Sequence, residues 1–268
     1  MSSTDPLLQP FQLKHLSLKN RILSTSHEPA YSEDGLPKER YRLYHEEKAK
    51  GGIALTMFGG STLVAQDSPP VFGNLYAGND EIIPYFQKMA EGVHRHDAAL
   101  MCQITHLGRR SVSNAGDWLP IVAPSCVREP AHRGFPKIAE GTDIRRIVKA
   151  YGAAAQRCQE GGLDGVEIEA YGHLLDAFWS PRTNLRTDSY GGSLENRARF
   201  ALEVLEEIRK QVGSAYIVGI RMVFDEALDS HLDGGLRLEE GLKIGEMLVK
   251  TGGLDFINVI QGHIDTQE

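Results

Sequence analysis

The chain has 268 residues, of which 41% are hydrophobic and 24% charged, with a formal net charge of −7. That size and composition allow one large core and fit a single α/β barrel, while the acidic balance argues against nucleic acid, whose phosphates need a basic face. Cys102, Cys126 and Cys158 form no CxxC pair, no apolar run reaches membrane-spanning length, and MSSTDPLLQPFQ lacks a signal peptide's regions. The expectation is a cytoplasmic protein with no disulfide framework, no metal motif and no membrane partner.

The first strand is predicted from Arg21, in RILSTS. KAKGGIALTMF then ends a helix, passes a glycine pair and enters a second strand near residue 53. ALMCQIT, from Ala99, reads as the third strand. A helix from Thr142 turns Ile144, Ile147, Val148, Tyr151 and Ala155 inward and ends at Gly161. QEGGLDGVEIEA repeats the helix–glycine–strand pattern and places a fourth strand near residue 165. The next helix, from Leu194, puts Leu194, Ala198, Ala201, Leu205, Ile208 and Val212 on one face, with Ser193 as N-cap and Gly213 as stop. YIVGIRMV from Tyr216 is the fifth strand, and KTGGLDFINVI repeats the glycine pattern before a sixth near residue 255. Gly51, Gly161 and Gly252 are expected to take the left-handed conformation that closes each helix.

Alternating strands and helices imply a parallel sheet, and continuous apolar strands imply that both its faces are covered. No GxGxxG follows the first strand, so a doubly wound dinucleotide fold has no support. The reading is a (β/α)8 TIM barrel, with residues 1–268 as one domain holding six of the eight units and stopping soon after the sixth. An open sheet edge would leave self-association into a homo-oligomer available.

Chemistry in such barrels gathers at the C-terminal ends of strands. Those ends read STSHEPA, FGGS, QITHLGRR, EIEAYGHLLDAFWSP, IRMVFDE and IQGHID, each rich in polar or ionisable residues.

LSLKNRI, QITHLGRRS, VAPS, GLDGVEIEAYGHLLDAFWSP and above all NLRTDSYGGSLENRARF resemble the Old Yellow Enzyme family of FMN-dependent oxidoreductases, from about residue 8 onward. The resemblance implies an FMN site in which Gln103 supplies an amide, Arg221 a cation near N1, and the backbone around Ser26 and Gly59 the ring's edge. Arg221 could instead be buried in a salt bridge with Glu167 or another carboxylate. Arg182, Arg186, Asp188 and Arg197 are expected to pin the loop after the fourth strand rather than to do chemistry. The family's phosphate grip follows strands seven and eight, and its longer members add an iron–sulfur cluster and a second dinucleotide site.

Departures from the family narrow the reaction. Enoate-reducing members carry a His/Asn or His/His pair after the fourth strand, with a tyrosine proton donor two residues on. EAYGHLL is one residue shorter: Tyr171 stands at the second donor, His173 at the tyrosine, and Glu169 or Ala170 at the first donor. That pattern, with HEPAYSEDGLPK, is more similar to the amine-oxidising branch of trimethylamine dehydrogenase and the dimethylglycine and N-methylproline demethylases. The resemblance then implies oxidative N-demethylation of a small methylated amine: hydride passes to flavin N5 and water hydrolyses the iminium to formaldehyde. His173 and Tyr171 are the catalytic candidates, and His27, Glu28 and Glu169 the substrate-binding ones. No cysteine lies near Glu28, where trimethylamine dehydrogenase attaches its flavin, so the FMN is expected to be noncovalent. His27 and His106 remain open between site and loop tie; His94 and His96 read as helix-end cations. The electron acceptor is not indicated. An NAD(P)H-dependent ene-reductase of enoate or 2,4-dienoyl-CoA type, and a scaffold that binds no flavin, are the alternatives.

Overall fold

The computed structural model describes residues 5–111, 119–131, 133–227 and 234–262. Six parallel strands form one sheet in chain order: β1 (Leu23–Ser24), β2 (Leu55–Leu63), β3 (Ala99–Thr105), β4 (Gly165–Ala170), β5 (Ile217–Val223) and β6 (Phe256–Ile260). Helices α1 (Glu39–Lys50), α2 (Ile83–His94) and α3 (Gly141–Glu160) carry the first three crossovers. The fourth holds α4 (Leu174–Trp179) and α5 (Leu194–Val212), and the fifth α6 (Leu238–Lys250). Each crossover leads to the adjacent strand, which is the topology of a TIM barrel over six of its positions.

The alternation of side chains along each strand sorts the core into two. Leu100, Cys102 and Ile104 of β3, Val166, Ile168 and Ala170 of β4, and Val218, Ile220 and Met222 of β5 face outward under the helices. Leu55, Met57, Ala99, Met101 and Ile217 face inward at the strands' N-terminal ends, where they meet Leu13, Leu16, Leu18 and Phe256. The three leucines belong to an antiparallel hairpin, Phe11–Leu13 with Leu16–Leu18, that covers this end. Lys14 at its turn reaches the other side of the sheet, 2.9 Å from the Asp255 carboxylate, which Arg209 also grips at 2.7 Å. Gly219 leaves room for the Phe256 ring, since a methyl there would stand 2.1 Å from it.

Two expectations shift by one residue. The left-handed glycine is Gly52 (φ 100°) rather than Gly51, and Gly162 (φ 74°) rather than Gly161; Gly252 (φ 68°) is as expected. In all three turns it lies two residues past the last helical one, so the first glycine of the earlier pairs does the work of Thr251. Helix α3 starts at Gly141, because Asp143 accepts the Glu140 backbone N–H at 2.9 Å and sets the cap one residue earlier. Ser193 does cap α5, accepting from the Asn196 N–H at 3.3 Å, and Gly213 (φ 75°) ends it.

Candidate active site

Above the apolar inner layer, the same two-residue period turns polar. Glu167 is fully buried there and accepts from Gln103 Nε2 at 2.7 Å, Asn258 Nδ2 at 3.0 Å and Ser26 Oγ at 3.3 Å. Burial pushes its carboxyl up, opposed by the Asn258 and Gln103 hydrogen bonds and the Arg221 charge. Arg221 makes no direct ion pair with it: Ser26 stands between them, accepting from Arg221 Nη1 at 3.4 Å. Among the described residues no carboxylate lies within the 4 Å of an ion pair with Arg221, and its buried Nε has no partner. The salt-bridge alternative is therefore replaced by a hydroxyl-bridged arrangement.

A second cluster forms where β2 and β4 end. The β2 register shifts between Phe58 and Thr62, and Gly59 (φ 68°) and Ser61 (φ 72°) take positive φ. This irregularity brings Ser61 Oγ to 2.9 Å from Glu169 Oε2 and 3.1 Å from His173 Nε2, which lies 3.4 Å from the same carboxylate oxygen. Both partners are almost completely buried. His173 is the N-cap of α4, and Asp176 accepts the Gly172 and His173 backbone N–H groups at 2.7 and 2.8 Å, fixing the turn that presents the ring. Tyr171 is half-buried at the end of β4 and packs against the main core. Ser61 also ties the two clusters together, its backbone N–H donating to Gln103 Oε1 at 3.2 Å.

The loop after β1 lies across β2 because Gly60 has no side chain: a methyl there would stand 2.7 Å from the Glu28 backbone nitrogen. Glu28 accepts from the Ala30 N–H at 2.9 Å and the Tyr41 hydroxyl at 3.3 Å, and that hydroxyl accepts from Gly59 N–H at 2.9 Å. Burial raises the Glu28 carboxyl to about 7, against the lowering effect of both hydrogen bonds. His27 is exposed and is not drawn into either cluster by any hydrogen bond described.

His106 is a loop tie. Its buried ring sits 3.2 Å from Asp67, which Arg146 holds in a bidentate pair at 2.9 and 2.6 Å, and its Nδ1 accepts from Gly108 N–H. His94 ends α2 and bonds Asp164 at 2.8 Å. In the loop after α4, Arg186 bonds Asp188, Ala139 O and Pro124 O, and Arg197 bonds Trp179 O and Glu240, as pins of an irregular segment would. Arg182 departs from that pattern: its Nη1 is buried without a hydrogen bond.

Sequence reasoning missed three members of the site. Asn258 sits between apolar neighbours in FINVI, an alternation that marks an inward polar position. Glu167 was read only as a partner for Arg221, although GVEIEA shows the same period. Ser61 carries no periodic signal, because the backbone irregularity that turns it inward is not periodic.

The site so described is a polar strand-end cluster at the mouth of a TIM-barrel sheet. Residues 6–261 match the NADH:flavin oxidoreductase / NADH oxidase family, and the chain belongs to that family. It is 56% identical over 262 residues to a probable N-methylproline demethylase of Rhizobium meliloti (strain 1021), covering 98% of this chain and 38% of that one. It is 52% identical to a multifunctional alkene reductase/demethylase OYE of Caballeronia cordobensis, covering 99% of this chain and 38% of the relative. Both relatives are thus much longer than the chain. Among solved structures, a 2-naphthoyl-CoA reductase in complex with 2-naphthoyl-CoA superposes with a TM-score of 0.91 at 27% identity, over 97% of this chain and 41% of that one. The Old Yellow Enzyme resemblance and its demethylase branch are therefore sound.

The residues present fit a flavin ring. Arg221 offers an unpaired buried N–H, and the Gln103 amide keeps one N–H and one lone pair beyond its two internal bonds. That is one cation and one donor–acceptor pair on the inner face of β5 and β3, either side of β4, the complement of a flavin's pyrimidine edge. Among the described residues no group of His, Cys, Asp and Glu is arranged to hold a metal, and no helix is long and apolar enough to cross a membrane.

Proposed function

We propose that this chain provides the flavin- and substrate-facing half of an FMN-dependent oxidoreductase that removes N-methyl groups from a small methylated amine or amino acid, of N-methylproline or dimethylglycine type. The observation that carries the reading is the buried Glu169–Ser61–His173 cluster. A carboxylate there attracts a substrate ammonium and would repel the enolate of an ene-reduction. When bound, FMN supplies the acceptor for a hydride leaving the N-methyl carbon.

The residues' roles follow from charge and position. Gln103 and Arg221 hold the ring's polar edge, the cation offsetting negative charge gained on reduction. Ser26 and Glu167 orient that cation and that amide. The backbone at Gly59 borders the ring. Glu169 draws the ammonium inward, Glu28 adds its charge only as it ionises at about pH 7, and Tyr171 shapes the pocket around the substrate. His173 accepts the substrate's N–H proton, freeing the nitrogen lone pair that expels the hydride. Water then attacks the iminium and formaldehyde leaves. The flavin is held without a covalent link, since Cys102 and Cys158 are buried in the outer core and Cys126 is distant from Glu28 in sequence.

A second reading, ene-reduction, is favoured by the 52%-identical relative whose name joins alkene reductase to demethylase. Stopped-flow spectroscopy of the complete enzyme separates the two. Bleaching of oxidised flavin by N-methylproline or dimethylglycine is expected; reoxidation of reduced flavin by cyclohexenone, with no bleaching by either amine, would overturn the assignment.

A further inference from the structure

We infer that Ser61 is a positioning residue that holds neutral His173 as its Nε2–H tautomer. A proton inventory carries the argument. A serine hydroxyl has one hydrogen, and an ionised carboxylate can only accept. Ser61 Oγ lies 2.9 Å from Glu169 Oε2, so its hydrogen is spent there. The second contact of the same oxygen, 3.1 Å to His173 Nε2, must then be made by a hydrogen on the nitrogen. The lone pair of the ring is left on Nδ1, which is buried and turned toward the Asp176 backbone N–H in the capping box of α4, on a residue only 8% exposed.

The backbone supports the assignment. Ser61 holds φ 72°, a conformation costly for a residue with a side chain, inside a strand whose register breaks to permit it. Asn74 Nδ2 fixes the Ser61 carbonyl at 3.1 Å and Gln103 Oε1 accepts its N–H at 3.2 Å, so the hydroxyl is locked from both sides. Strain kept in this way at a site is a mark of a constrained geometry. When the ring carries a positive charge, it faces Glu169 both directly, at 3.4 Å, and through the serine.

The test is a long-range proton–nitrogen correlation spectrum of imidazole nitrogens in the complete flavin-loaded enzyme, labelled with 15N-histidine. The His173 signals are identified by their loss in His173→Gln. The parent should show a protonated Nε2 and an unprotonated Nδ1 while the ring is neutral. Ser61→Gly tolerates the positive φ and removes the hydroxymethyl group, so it should keep flavin bound while both tautomers become populated. A protonated Nδ1 in the parent, or parent-like shifts in Ser61→Gly, would overturn the inference. The kinetic arm rests on the proposed demethylation: flavin reduction by the amine should slow about tenfold or more in Ser61→Gly, with a displaced neutral limb in its pH profile. Unchanged rate and profile in a variant that the amine still reduces would count against Ser61. If no amine reduces the parent, the demethylase reading fails and the nitrogen spectra still decide the tautomer.

Discussion

Glu28 shows how one side chain reports its surroundings. Its carboxyl is raised to about 7 mainly by burial, so the folded protein holds a proton that the unfolded chain releases at ordinary carboxylate pH. The stability this contributes is complete below the unfolded value and is lost as pH rises through about 7. Denaturant titrations from pH 5 to 8 should therefore show a fall in stability that Glu28→Gln flattens. His173 and Tyr171 are distinguishable by kinetics. His173→Gln should keep FMN and slow flavin reduction by roughly 10²-fold, the usual weight of one acid–base group. Tyr171→Phe should mainly raise the substrate concentration needed, because it removes a hydroxyl that lines the proposed pocket and not the group proposed to take the proton; equal losses of rate in both variants would remove the division of roles. Gln103, Arg221, Glu169 and His173 were legible in the sequence because each is a polar group at a recognisable strand end. Ser61 was not, since its orientation depends on a positive φ at residues 59 and 61. His27, legible by the same rule, proved exposed: the end of β1 is a two-residue strand and gives its loop little direction.

At the level of elements, the six strands were readable because apolar runs and glycine pairs punctuate them. The errors were of register. A glycine pair announces that a helix ends, but which glycine turns left depends on the last helical hydrogen bond, which composition does not specify. Gly60 has a different role, and substitution there tests how the β1 loop is seated. In Gly60→Ala the new methyl meets backbone atoms of His27 and Glu28 at 2.9 and 2.7 Å, and neither can rotate away. A loss of about 1–3 kcal/mol is expected from such overpacking, with weaker flavin retention because Glu28, Tyr41 and Gly59 move together. Thermal melts and flavin content measured on the same preparation check both parts; a stable variant with full flavin would show that the loop is not seated on β2.

For the molecule as a whole, the sheet order and the inward polar layer support the flavin position proposed above. The linkage can be tested without knowing the substrate. Acid precipitation of the complete enzyme should leave all flavin absorbance in the supernatant, and colour kept in the pellet would demand a covalent attachment point that the three cysteines' positions do not offer. The barrel class was legible from strand–helix alternation together with the missing GxGxxG after the first strand. The inner layer was legible only in part, because which face of a strand turns inward is set by packing among neighbours far apart in sequence.

The hairpin's grip on Asp255 has a consequence for the order of events at the ribosome. Lys14 emerges early, yet the carboxylate it bonds is made some 240 residues later, and its other acceptors, Ser214 O and Tyr216 O, are also late. The leucines at 13, 16 and 18 gain Leu55, Met57, Ala99 and Met101 early, but Ile217 and Phe256 complete their cover only late in synthesis. A vectorially growing chain should offer this segment to chaperones until residue 255 is out of the exit tunnel. Stalled nascent chains of increasing length, probed by limited proteolysis, should show cleavage near Lys14 that stops only after that point; protection in chains ending before residue 214 would mean that the hairpin docks without its distant partner.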